Sequence, residues 1–353
     1  MHILDELPQT LASWRSFSST EGNPLPWSLW DKLKPWLIEN RFHPWEAVGT
    51  YLVDALPPST HPGFRAPDGF VYGLAHIKMQ TPYFSATKPI LWPARTSEFR
   101  DVVIRLIRKG DEGLEHLDAL RAVAKGELSF HVNNHCVPVL QELTLEDMTF
   151  VVFPLLGNSV DYPWFYDFHE VFEFVFQAVE SVAYLHEHLI AHLDIDIDNF
   201  LINFAGDQRC PEWPDRGKFR SFFPVRYYLG DMELCVRFSE DSDPSSRKIV
   251  GHPTLRIGVD PSKYGRELVP EMAHSEPYCP FKADVWQLGN MLSRMFQPSA
   301  QIIPELLALS EAMKSLDPND RPTSAQALDR VRHLRAVTPE SILSQEVPPQ
   351  PDC

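Results

Sequence analysis

The octet His192-Leu193-Asp194-Ile195-Asp196-Ile197-Asp198-Asn199, followed by the apolar run Phe200-Leu201-Ile202, concentrates the side chains of this chain best suited to chemistry. Aspartates alternate with isoleucines, so an extended backbone points the three carboxylates one way and both isoleucines the other. Neighbouring carboxylates on that face stand about 7 Å apart and repel unless a cation or a proton donor relieves them. A positive group is expected beside them. The simplest reading is a solvated acidic loop. A calcium loop requires Gly at its sixth position and Glu at its twelfth. Counted from Asp194 these are Asn199 and Ala205, which speaks against calcium. His188 and His192 have the i, i+4 spacing of a zinc site, yet His186-Glu187-His188-Leu189-Ile190 lacks the second histidine of H-E-x-x-H.

Hydrophobic periodicity supplies the elements that position this octet. Residues 166–190 read as a helix with Phe168, Val171, Phe172, Val175, Val179, Val182 and Leu185 on one face, a core stripe that delivers the octet at its end. Upstream, short strands are expected at 69–75, 85–92 and 100–107, the last of these β-branched and bounded by polar residues. A helix follows near 112–124. Downstream come an insertion at 205–223, a strand at 225–229 and a Ser-rich loop at 239–247. A last helix carries Ala327, Leu328, Val331 and Leu334, with Thr323 and Gln326 as its capping box. Residues 1–65 are rich in Pro and Trp and read as an extension packed on the first lobe, with a short helix near 28–37 disturbed by Pro35. The Pro-rich tail, 338–353, reads as disordered.

Size and charge narrow the classes. A chain of 353 residues, 44% hydrophobic, is expected to form two domains or one bilobal domain with a substantial core. A net charge of −16 argues against non-specific nucleic-acid binding, which needs a positive field. The five cysteines are scattered and never in C-x-x-C spacing, which reads as a reducing compartment, cytoplasmic or nuclear, without a disulfide framework or zinc ribbon. The opening residues lack the pattern of a signal peptide, and no apolar run approaches the roughly 18 to 20 residues of a membrane span. A soluble intracellular monomer is the expectation.

The stretch from Tyr184 to Asn199 resembles the catalytic loop of protein kinases, H-R-D-x-x-x-x-N at the end of a long helix, and phosphoryl transfer is the reading of the octet that survives. Aminoglycoside-type phosphotransferases share H-x-D-x-x-x-x-N, so further motifs decide. Asp231, in Gly230-Asp231-Met232-Glu233, stands where D-F-G belongs. Val269-Pro270-Glu271 resembles A-P-E, Asp284-Val285-Trp286-Gln287-Leu288-Gly289 resembles D-x-W-x-x-G, and Asp317-Pro318-Asn319-Asp320-Arg321-Pro322 resembles D-P-x-x-R-P. These motifs keep the order found in eukaryotic-type protein kinases, and the chain looks closest to the divergent protein-kinase-like domains of basidiomycete fungi. The resemblance implies an α+β, bilobal fold: a mostly β N-lobe (66–157), a larger mostly α C-lobe (158–337), and ATP between them. It implies that Asp194 orients the attacking hydroxyl of a protein substrate, and that Asn199 and Asp231 hold Mg²⁺. It implies a strand entry at 133–140 and a strand at 148–157 that leads into the hinge. It further implies that Phe153 and Leu155 border adenine, that Glu271 and Arg321 form a buried pair, and that His192 and Asp284 brace the catalytic loop.

Several positions depart from that pattern. In Val102-Val103-Ile104-Arg105 the phosphate-binding Lys is replaced by Arg105, not a conservative exchange at a fitted site; Lys78 or Lys88 are the substitutes considered. Residues 81–99 contain no glycine where the phosphate-covering loop belongs. Asp196 occupies the place of the Lys two residues after the catalytic Asp, either as a solvated acid or as a third metal ligand. Met232 can fill the D-F-G phenylalanine pocket, whereas Glu233 restricts a backbone that Gly leaves free. Leu193 replaces the Arg that pairs with a phosphorylated activation loop, so switching by phosphorylation between Asp231 and Glu271 is not expected. For the glutamate partner of the third-strand cation, Glu115 is the first choice and Glu112 the second, with His116 as a competitor for that register. Two functions follow: an active Ser/Thr-type protein kinase, or a pseudokinase that binds or scaffolds.

Overall fold

The computed structural model describes residues 6–16, 27–48, 51–53, 83–84, 88–98, 100–158, 160–204, 218, 220–221 and 223–349. The fold is mixed α+β and divides into two compact units. The first comprises Met1–Leu117, Pro138–Gly157 and Asn203–Trp213; the second comprises Asp118–Val137, Asn158–Ile202 and Pro214–Cys353.

The first unit contains α1 (Leu11–Arg15), α2 (Trp27–Glu39), β1 (Phe42–Pro44), β2 (Glu46–Val48), β3 (Tyr51–Val53), β4 (Tyr83–Phe84), β5 (Leu91–Thr96) and β6 (Asp101–Lys109). Helix α3 (Leu114–Val123) straddles the division, and β7 (Gln141–Leu145) and β8 (Met148–Pro154) complete the first unit. Five strands form one antiparallel sheet in the order β1-β5-β6-β8-β7. The β-branched run Val102-Val103-Ile104 suits the centre of such a sheet. Arg95 and Asp101 sit opposite each other on β5 and β6, both buried, and form a two-pronged ion pair with Nε–Oδ1 at 2.9 Å and Nη2–Oδ2 at 3.2 Å. Gly113, at φ +86°, ends the turn between β6 and α3; a Cβ there would lie 2.0 Å from the Ile107 carbonyl oxygen, so only glycine fits.

The described residues among the first 65 join the main core. Leu7, Leu11, Trp14, Leu29, Trp30, Leu33, Leu37 and Phe42 belong to the same buried cluster as Trp92, Val102, Ile104 and Phe150, and β1 is an edge strand of the main sheet. Trp30 stacks on Trp92 at 5.8 Å between ring centroids. The scattered aromatics hid this role because they serve a helix, a loop and a strand in turn, with no shared period. Helix α2 runs straight through Pro35, longer than expected from that breaker. The strand expected at 69–75 lies outside the described residues, and the one expected at 85–92 begins only at Leu91.

The second unit holds α4 (Phe168–Glu187), β9 (Ile190–Ala191), β10 (Phe200–Ile202), β11 (Tyr227–Leu229), β12 (Val236–Arg237), α5 (Pro280–Phe296), α6 (Pro304–Met313), α7 (Ser324–Val337) and α8 (Glu340–Leu343). Asp167 caps α4, accepting from the Glu170 amide at 3.1 Å, and the apolar stripe from Phe168 to Leu185 is buried throughout. On α5, a Cβ at Gly289 would fall 2.6 Å from the Met313 Cβ and 2.8 Å from the Ser310 carbonyl oxygen, so glycine sets the close approach of α5 and α6. Thr323 and Gln326 form the capping box of α7.

Two expectations about this unit are corrected. Residues 133–140 form no strand, only an isolated bridge of Cys136 to Leu229. Asn134 takes up the local backbone instead, accepting from the Cys136 amide at 2.9 Å and donating to the Val123 and Leu128 carbonyls at 2.5 and 2.8 Å. The described part of the tail, 338–349, packs onto this unit. Leu343 and Val347 are buried, Trp164 Nε1 donates to the Pro348 carbonyl at 3.0 Å, and the Val347 amide bonds Tyr166 at 3.2 Å. Two apolar anchors outweigh a composition that reads as disordered.

Beneath α7, Glu180 is buried and held by His135 Nε2 at 3.0 Å and Arg332 Nη2 at 3.2 Å. Burial alone would raise its pKa, but the His135 hydrogen bond and charge, with Arg332, outweigh it and leave the carboxyl below its ordinary value. A depressed folded pKa contributes stability that is complete above the unfolded value, about 4.3, and is lost as pH falls through the folded one. Thermal melts of wild type and Glu180→Gln are expected to converge below about pH 4 and to diverge above pH 5; parallel curves would contradict this linkage.

The cysteines 136, 235 and 279 form no disulfide among the described residues. Burial, and then the neighbouring Cys235, push the Cys136 thiol up to about 12, so it is no nucleophile. No helix among the described residues is long and apolar enough to cross a membrane.

Candidate active site

The octet is not an extended strand. It leaves β9, bends at Leu193, which lies at φ +65°, and ends in a 3-10 turn over Ile197–Asn199 that leads into β10. A left-handed leucine costs on the order of 1 kcal/mol and persists only where its surroundings impose it. Here both flanking peptides are fixed. The Leu193 amide donates to Asp284 Oδ1 at 2.7 Å, while its carbonyl accepts from Gln287 Nε2 and the Tyr264 hydroxyl, both at 3.2 Å. Asp284, wholly buried on α5, also accepts from the His192 amide at 2.7 Å, and Gln287 Oε1 accepts from Ile195 at 3.1 Å. One helix thus grips consecutive peptides of the loop through residues three apart on one face.

Strand pairing brings the other end of the site in. β10 and β11 are antiparallel, with Phe200 opposite Leu229, and the next pair outward is closed by the Gly230 amide donating to the Asn199 carbonyl at 2.8 Å. His192 Nε2 donates to the Gly230 carbonyl at 2.8 Å while its Nδ1 accepts from the Asp194 amide at 3.3 Å. Those two partners fix the neutral Nε2–H form of the ring. Asp231 therefore starts one residue from a peptide tied to both ends of the octet, and it sits in the left-handed region at φ 55°, ψ 55°. Met232 behind it is buried, and Glu233 is accommodated in a short 3-10 turn.

Around Asp194 the contacts are polar and partly dry. Asn199 Nδ2 donates to the Asp194 carbonyl and to its Oδ2, both at 2.7 Å. The expected positive group is Arg266. Its Nε lies 2.8 Å from Asp194 Oδ1, its Nη1 3.4 Å from Asp196 Oδ1, and its Nη2 3.5 Å from Asp194 Oδ2. Arg294, on α5, closes on the other oxygen of Asp196. Asp196 is therefore no solvated acid; it is ion-paired twice and caps the 3-10 turn through the Ile197 amide at 2.7 Å. Asp198 is exposed, so the three carboxylates do not share a face. Burial alone would lower the Arg266 pKa, but Asp194 and Asp196 reverse the sign and hold it raised. Tyr264 is raised by burial and then by Asp194. His252, buried against the Tyr264 ring at 4.7 Å, is lowered by burial against the pull of Asp194.

The paired residues downstream are in contact. Arg321, 2% exposed, donates through Nη1 and Nη2 to Glu271 Oε1 and Oε2 at 2.6 and 2.9 Å, and through Nε and Nη1 to the Ser315 and Lys282 carbonyls. The remaining residues singled out from the sequence belong to the first unit. Arg105 is buried on β6 between Leu91 and Val151; Phe153 on β8 and Leu155 just beyond it are half-buried. Lys88 is exposed in the turn before β5, and Lys78 lies outside the described residues. Glu115 is exposed whereas His116 beside it is buried, so the histidine takes the inward register; Glu112 instead accepts from the Ala12 amide at 3.0 Å.

Sequence reasoning missed Gln287, Arg294, Tyr264, Arg266 and His252. The first two repeat at helical intervals from Asp284, a signal that was readable. The other three come from irregular backbone without any period. Among the described residues no group of three or more His, Cys, Asp and Glu side chains is arranged to hold a metal ion. A Mg²⁺ site built with substrate phosphates needs only one or two protein oxygens. Asn199 and Asp231 carry oxygens of that kind, and the Gly230 amide that precedes Asp231 donates to the Asn199 carbonyl at 2.8 Å. No protein-family model matches this chain.

Proposed function

We propose that this protein is a protein-kinase-like phosphotransferase that moves the γ-phosphate of ATP to a Ser/Thr hydroxyl of a protein, and that its two units are the lobes of a bilobal kinase-like fold. The observation that carries the reading is the pair of bonds from Asn199 Nδ2 to the carbonyl and carboxylate of Asp194. It fixes a carboxylate oxygen next to an amide oxygen, with Asp231 tethered alongside through Gly230. In this reading Asp194 receives the hydroxyl hydrogen bond and orients the attacking oxygen. Asn199 and Asp231 would hold Mg²⁺, which when bound neutralises charge on the β- and γ-phosphates. Asp284 and Gln287 keep the loop rigid so that no reorganisation is needed during reaction. The assay is transfer of labelled γ-phosphate from ATP with Mg²⁺ to a mixed protein acceptor, followed by phosphoamino-acid analysis. Labelled Ser or Thr is the expected product; absence of protein-bound label across acceptors would contradict the reading.

A scaffolding pseudokinase is the second reading, and the ion pair of Arg266 with Asp194 favours it, since that contact occupies the carboxylate the chemistry needs. Under this reading the chain binds its partner without transferring phosphate.

A further inference from the structure

We infer that Arg266 is the catalytic cation of this site, the group that meets the negative charge of the phosphoryl group in flight beside Asp194. The inference rests on the phosphotransferase reading and names a residue which that reading leaves open. Phosphoryl transfer depends on positive charge placed where the equatorial oxygens gather negative charge. The loop itself supplies none: position 196 is an aspartate, and His192 is locked in its neutral form by the Asp194 amide and the Gly230 carbonyl. His252 meets the Thr254 hydroxyl at 2.7 Å and its amide at 3.2 Å through Nδ1, and burial disfavours a charge on that ring.

Arg266 is built for the task. Its Nε lies 2.8 Å from Asp194 Oδ1 as an ion pair without a hydrogen bond to that oxygen, and its outer nitrogens reach Asp196 at 3.4 Å and Asp194, through one long hydrogen bond, at 3.5 Å. These are the N–H groups a phosphate oxygen can take over. Arg294 holds Asp196 from its other oxygen, so Asp196 keeps a counter-charge when Arg266 turns to an anion. Tyr264 is fastened to the Leu193 carbonyl at 3.2 Å and to Gln287 at 2.8 Å, so the segment bearing Arg266 is anchored by neutral bonds and does not depend on the guanidinium for its place. In the step, the acceptor hydroxyl oxygen forms a bond to the γ-phosphorus while the bond from that phosphorus to the β,γ-bridging oxygen breaks. ADP leaves with the electron pair, and the hydroxyl proton passes to Asp194. Arg266 makes no covalent bond.

The test compares purified full-length wild type with Arg266→Lys, Arg266→Gln and Arg266→Met, reading kcat and KM for ATP in γ-phosphate transfer, alongside a melt of each variant. Loss of about 100-fold or more in kcat for Gln and Met is expected, with KM for ATP changed less than about threefold and Lys recovering about tenfold. A merely structural role would shift the melt and treat Lys and Gln alike. Should Met fail to fold, the Lys and Gln pair decides. Wild-type kcat in Arg266→Gln overturns the inference and spares the phosphotransferase reading; a gain in kcat does the same and marks Arg266 as a latch over Asp194. A wild type that neither binds nor uses ATP overturns both.

Discussion

Asp194→Asn is expected to lower phosphate transfer by about 10³-fold while leaving the folded state intact, a loss within the range for removing a positioned proton acceptor. The reason for separating the two effects lies in the contacts. Asn199 Nδ2 donates to the Asp194 backbone carbonyl and to Oδ2, and an asparagine oxygen at 194 can still accept the second bond. What disappears is the negative charge: the ion pair with Arg266 and the capacity to take up the hydroxyl proton. The pair is mostly buried, but Arg266 keeps Asp196 as a counter-charge at 3.4 Å when Asp194 loses its charge, so the melt is expected to move far less than the transfer rate. Single-turnover transfer measured beside a thermal melt reads both quantities; a variant retaining more than a tenth of wild-type transfer would sink the role assigned to Asp194.

Asp284→Ala is expected to have the largest effect on stability, about 3–5 kcal/mol, the cost of breaking a fully buried charged network. Asp284 is fully buried and accepts from the His192 and Leu193 amides, both at 2.7 Å, and from His186 Nε2 at 2.9 Å. Alanine orphans two buried amides and removes the acceptor that holds Leu193 in its left-handed conformation, so the loop is released as the fold weakens. Hydrogen exchange at the amides of 192 and 193, together with urea unfolding, checks the claim. Protection unchanged at those amides would contradict it.

How much of this was legible from the chain differs by element. The contact of Glu271 with Arg321 and the grip of Asp284 on the loop follow from motifs whose spacing survives, because buried pairs tolerate few residue types. The approach of Gly230 to Asn199 comes from two short apolar runs, Phe200-Leu201-Ile202 and Tyr227-Tyr228-Leu229, that pair as β10 and β11. The alternation of Asp and Ile misled: it reads as a strand, but Asp284 and Gln287 bend the loop, an override by tertiary hydrogen bonds that no local pattern records. Arg266 was unreadable for a related reason. It stands 72 residues from Asp194 on backbone held by single side chains such as Tyr264, so nothing in its neighbourhood announces its partner. The tail was misjudged on composition, since Pro content says nothing about whether a few apolar anchors find a core.

The central claim is that Asp231, with Asn199, serves a nucleotide's phosphates. A thermal-shift titration of wild type and Asp231→Asn with ATP tests it most directly, run with and without Mg²⁺, because a ligand that binds the native state stabilises it by about 2.7 kcal/mol at a hundredfold excess over Kd. The account predicts a saturable rise in melting temperature for wild type that requires Mg²⁺ and is lost in Asp231→Asn. A wild-type melt unmoved by millimolar ATP with Mg²⁺, or a shift identical in the variant, would contradict it.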